Sequence, residues 1–181
     1  MNADPWLMAA AAALLVFWAL GAHNRLVSLR NTIIAAWPQV DEPLRRRGAA
    51  IEALLGPLRT MLSDEQPSLD AVAEAQAQVQ AAADALRARP ALAPQAAALA
   101  GAEAALAPAV ARLLALLEQQ AALPAAAALA PQVAVLHDAG QRLVFARQLF
   151  NDAVRQYNRA ARQFPTRLLS RLFGFGAAGV L

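Results

Sequence analysis

The run Pro5 to Ala22, PWLMAAAAALLVFWALGA, carries no charge, and nothing else in the chain limits its fold so strongly. Eighteen helical residues rise about 27 Å, just enough to cross a hydrocarbon core of roughly 30 Å. Trp6 and Trp18 stand toward the two ends, where indole rings favour the membrane interface. The competing readings are a cleaved signal peptide and a buried core helix. A signal peptide normally opens with positive charge, whereas the residues before this run include Asp4 and no Lys or Arg. Small residues such as Ala22 still fit a cleavage site; a retained anchor over residues 5–22, in contact with the lipid bilayer, is the expectation. Arg25, Arg30 and the triplet Arg45, Arg46, Arg47 all follow the run and none precede it. The positive-inside bias then puts the N-terminus outside and the body in the cytoplasm.

The rest of the chain, within a total of 181 residues, is enough for one domain. It reads as helix throughout. Alanine, the strongest helix former, supplies much of a hydrophobic fraction of 59%. From Leu26 the apolar residues Leu29, Ile33, Trp37, Val40, Leu44, Ile51, Leu55, Leu58 and Leu62 follow at steps of three, four and seven, one stripe on a helix. Only Gly21 separates this stripe from the apolar run, so one long helix is expected, kinked or broken at Pro38, Pro43 and Pro57. Ser63 to Ser68 is a loop signal with Ser68 as the N-cap of a second helix, Leu69 to Arg89, stopped by Pro90. A third helix runs from near Pro94 to about Ala122, with Pro108 inside it. Leu123–Pro131 reads equally as loop or short helical turn. On the last helix, Leu143, Ala146, Phe150, Ala153, Tyr157, Ala160 and Phe164 alternate large and small at steps of four and three, a packing seam.

The fold expected is therefore all-α: a long-helix antiparallel bundle of about four helices, two long and two shorter, preceded by and continuous with one transmembrane helix. Residues 1–4 form a short tail, 5–22 the span, 23–165 the bundle and 166–181 an apolar and basic C-terminal tail.

Chemistry finds little footing in these residues. Without cysteine there is no disulfide, thiolate nucleophile or Cys-metal site. His23 and His137 lie on different elements, where zinc needs three or four clustered ligands, so no metal site is expected. Glu65, Glu74, Glu103 and Glu118 are each isolated in sequence, and no Gly-rich phosphate loop or serine elbow is present. The expectation is a protein that is not an enzyme and binds no cofactor. All 16 basic residues are arginine but the net charge is only +3, which gives no footing for a nucleic-acid partner. Arg147, Asn151, Arg155, Asn158 and Arg162 form a second stripe on the last helix. They read as a solvated structural face, as asparagines fixing helix register, or as a surface for a partner or anionic lipid. The tail Arg167–Phe175 either packs on the bundle or embeds its Leu and Phe side chains among headgroups.

Two segments together resemble the LemA family of bacterial membrane-anchored helical proteins. The first is His23-Asn24-Arg25-Leu26-Val27-Ser28-Leu29-Arg30-Asn31, then Ala36-Trp37, Val40-Asp41 and Leu44-Arg45-Arg46-Arg47. The second is Ala146-Arg147, Phe150-Asn151-Asp152, Val154 and Tyr157-Asn158, then Phe164-Pro165 and Gly174-Phe175. His23 and Phe150 stand where tyrosine is usual, and Pro43 and Gly140 also depart from the pattern, as in a divergent member. The resemblance implies a long-helix bundle behind a single span in the bacterial inner membrane, and it implies no reaction. The function expected is a membrane-anchored scaffold for another membrane or cytoplasmic protein, with a homo-oligomer left open. The alternative is a lipid-surface or membrane-shaping protein that uses the arginine stripe and the Leu/Phe tail.

Overall fold

The computed structural model describes residues 5–120, 124–164, 166, 167 and 173–181. The described residues are helical or irregular, with no strand among them. Helix α1 runs Pro5–Met61, a 3₁₀ turn follows at Ser63–Glu65, and α2 spans Gln66–Ala88. Helix α3 spans Ala93–Gln119, α4 is the single turn Pro124–Ala127, and α5 spans Ala130–Arg162. A proline sits in the first turn of α2, α3 and α5, where its missing N–H costs nothing and its fixed φ favours the helix.

Helix α1 is unbroken over 57 residues despite Pro38, Pro43 and Pro57. The expected break does not occur. Pro38 and Pro57 face solvent, and the carbonyls they leave unpaired, at Ile34 and Ala53, belong to exposed residues that water can reach. Its apolar stripe from Leu26 to Leu62 is buried in the bundle, with Leu29 packed at the edge. The apolar first third differs: none of its most hydrophobic window is buried by the rest of the protein. The α3 helix passes the same length and hydropathy test, but it is partly buried against α2.

The bundle is built on two antiparallel pairs. Helix α1 packs along α5, α2 packs along α3, and α1 also contacts α2. The seam of α5 buries Leu143, Ala146, Phe150, Ala153, Tyr157 and Ala160. Phe150 is fully enclosed and meets Trp37 edge-to-face at 6.2 Å. Two expectations are corrected. Helix α2 starts at Gln66, with Glu65 at the cap position, so Ser68 lies inside the first turn and caps nothing. Phe164 leaves the seam because α5 ends at Arg162 and Gln163 turns extended; its side chain is 84% exposed.

Candidate functional site

Two polar constructions stand out on this frame. The first is a chain of ion pairs tying α1 to its neighbours. Asp41 accepts from Arg87 of α2 at 2.6 and 3.2 Å, in a two-pronged pair. Six residues further along α1, Arg47 makes a two-pronged pair with Glu103 of α3, one bond measuring 2.9 Å. Glu103 is only 7% exposed and Arg47 14%, so the pair is largely removed from water. Arg147 of α5 reaches toward the same carboxylate at 4.0 Å and remains 30% exposed. Two guanidinium groups thus share one carboxylate.

That cluster lines a groove of about 400 Å³ between α3 and α5. The two helices touch little there, and Ala100, Ala104, Ala107 and Gly140 are among the residues that line the space between them. Leu143 and Val144 supply further apolar wall, and Val144 is exposed. Sequence reasoning treated Glu103 as an isolated carboxylate. The signal was present: Ala96, Leu99, Glu103, Leu106, Val110, Leu113 and Leu117 step by three and four, which puts Glu103 on the seam of α3.

The second construction is a clasp on α5. Asn158 donates Nδ2–H to the Ala178 carbonyl at 2.8 Å and accepts the Ala178 N–H at 2.9 Å. Asn151 does the same with Leu181, both bonds 2.8 Å. Between them Tyr157 donates its hydroxyl to the Gly176 carbonyl at 2.9 Å. Burial pushes the Tyr157 phenol above its ordinary pKa, with nearby Arg30 pulling weakly the other way. His23 lies against both Phe173 and Phe175, edge-on at 5.2 and 5.3 Å. The segment 173–181 therefore bridges α5 to the end of the apolar third of α1.

The arginine and asparagine stripe divides accordingly. Asn151 and Asn158 hold the C-terminal segment, Arg147 lines the groove, and Arg155 pairs with Asp152 at 2.6 Å on the exposed surface. Arg162 is exposed at the end of α5. Of the motif residues, Leu26 and Trp37 lie in the core, Asp41 and Arg47 form the ion pairs, and Tyr157 belongs to the clasp. Asn24, Arg30, Asn31 and Arg46 are exposed, and Pro165 lies outside the described residues, as do Leu168–Leu172 of the expected tail. Among the described residues no three His, Asp or Glu side chains converge as metal ligands. His137 lines a separate shallow groove near Glu118, remote from His23.

An all-helical bundle standing on an exposed apolar stem, cross-tied by a half-exposed Asp–Arg pair and a largely buried Glu–Arg pair, defines the class of protein. The chain belongs to the LemA family, whose sequence model matches residues 36–181. The match takes in the ion pairs, the α5 seam and the clasped segment. No curated protein matches the sequence.

Proposed function

We propose that this chain is a non-catalytic, membrane-anchored scaffold of the LemA type that presents the α3–α5 groove to a partner protein. The observation that carries this reading is the groove itself: apolar walls with a guanidinium surplus at its centre. Arg47 claims both oxygens of Glu103, which leaves Arg147 with only the 4.0 Å contact. An apolar partner helix bearing one acidic side chain supplies what Arg147 lacks.

The stem supports the anchoring half of the reading. Pro5–Ala22 is apolar, none of Trp6–Ala22 is buried, and the helix continues without interruption into the bundle. If it spans an inner membrane in the direction its flanking arginines favour, the bundle stands in the cytoplasm. Arg47 follows Ala22 by 25 residues, so in that arrangement about 37 Å of helix separates the groove's Arg47 from the bilayer. Lipid does not reach that far; a protein does.

A photo-crosslinker in place of Val144, used in native membranes, tests the reading. It should capture a discrete partner, and Arg147→Glu should reduce capture at least about tenfold. Capture indifferent to Arg147, or equal to that from an exposed position on α2, removes the groove from the account.

A specific observation favours a second reading, contact between the base of the bundle and the lipid surface. Trp37 opposes Phe150; seven residues back and seven forward, Arg30 lies near Tyr157. Five residues further in each direction set Arg162, the end of α5, level with Arg25, three residues past the apolar run, with Phe164 just beyond the helix end. Phe164 and Phe173 are both exposed, and Arg25 and Arg162 are exposed at the same end of the bundle. Aromatic rings and guanidinium groups at that height suit the headgroup layer. With no native cysteine to interfere, a nitroxide on Phe164→Cys reports depth directly. Accessibility to lipid-soluble oxygen supports the contact, and full accessibility to a water-soluble relaxant ends it.

A further inference from the structure

The clasp has the geometry of a peptide reader. Asn151 and Asn158 are seven residues apart, an axial rise of about 10.5 Å on a helix. The residues they hold, Leu181 and Ala178, are three apart, and extended chain covers about 10 Å in that distance. The two spacings match, so each side-chain amide meets the backbone of one residue squarely, giving a donor to its C=O and an acceptor to its N–H. Such pairing recognises backbone and is indifferent to side chains. Selectivity enters at one register. A Cβ on Gly179 would fall 2.7 Å from Cα of Ala93 and 2.8 Å from Cβ of Ala96, so only glycine fits beneath the start of α3.

We propose that this strip of α5 is a binding site for an extended, glycine-bearing peptide, that residues 174–181 are its resident and displaceable occupant, and that the occupant it takes in trans is the same segment of a second copy. Among the described residues the attachment consists of five hydrogen bonds, the buried Ala178 side chain, and the half-buried Phe175 and Leu181 side chains, which pack against the core, Phe175 also against His23. Residues 174–181 form no helix or strand of their own, and an irregular segment of this kind opens locally without the bundle unfolding. Covalent linkage gives the resident segment a high effective concentration, which masks the site until that segment is excluded.

Gly179→Val in the full chain does so while leaving every groove residue in place. Fluorescent peptide 174–181 with blocked ends, titrated onto this variant in detergent, should bind saturably and at least about tenfold more tightly than onto the unmodified chain. The same peptide carrying Gly179→Val should not bind. Adding Asn151→Asp and Asn158→Asp, which keeps side-chain shape but removes both donors, should abolish binding. Tagged Gly179→Val protein should also retain untagged, unmodified chain from mixed micelles, and the triple variant should not. A helical, cooperatively melting Gly179→Val protein that ignores the peptide overturns the site. Peptide binding without retention of the second chain overturns the trans occupant. If the valine variant loses its cooperative melt, Gly179→Ala, whose intruding group is smaller, gives the same two readouts.

Discussion

Tyr157 is the single tyrosine of the chain, and its hydroxyl, held against the Gly176 carbonyl, couples the clasp to pH. Its folded pKa lies above the ordinary value of 10.0, with burial as the main cause. The unfolded chain therefore releases this proton first. The stability contribution is complete below about pH 10 and is lost as pH rises past that value. Urea unfolding through the alkaline range should show this loss, and Tyr157→Phe should flatten it at a cost of about 1 kcal/mol for the missing hydrogen bond. Glu103 sets a different balance. Glu103→Gln leaves the nearly buried Arg47 without a counter-charge and should destabilise the bundle by about 3–5 kcal/mol in denaturant titration. Little of this was legible in advance. Asp41 and Arg47 could be quoted as motif residues, yet their partners lie 46 and 56 residues away, and proximity in space leaves no mark at such separations.

At the scale of elements, periodicity decided nearly everything correctly. The apolar stripe of α1 and the large–small seam of α5 are buried as their spacing requires, because the core is the only place such faces can go. What periodicity misjudged were the ends and the prolines. The seam rhythm runs on to Phe164, but the backbone leaves the helix at Gln163, and an exposed ring is the result. In α1 the long buried stripe outweighs the local penalty of each proline. Pro57→Ala on the exposed face should accordingly raise the melting temperature, with a gain of about 1–3 kcal/mol, since nothing but the local helix penalty is removed. A fall in stability would mean that the proline shapes the packing of α1 on α2.

Across the whole molecule, α1 serves at once as stem and as central strut: its first third is bare, and the remainder contacts α5 and α2 and pairs with α3. If the bare third spans a bilayer, alkaline carbonate should leave the intact chain in the membrane pellet. Leu14→Arg with Leu15→Arg should release it, each charge adding about 2.5–3.5 kcal/mol to the insertion free energy. Release of the unmodified chain would refute the anchor. The sequence by itself determined the helical class, the continuity of stem and bundle and the residues of the core, because each is written in charge and spacing along one segment. Only the tertiary structure decided that Asn151 and Asn158 clasp backbone, that Glu103 serves two arginines, and that α3 and α5 part to leave a groove. Those features arise where distant segments meet, and hydrogen-bond geometry and close approach, unlike periodicity, exist only once the chain has folded.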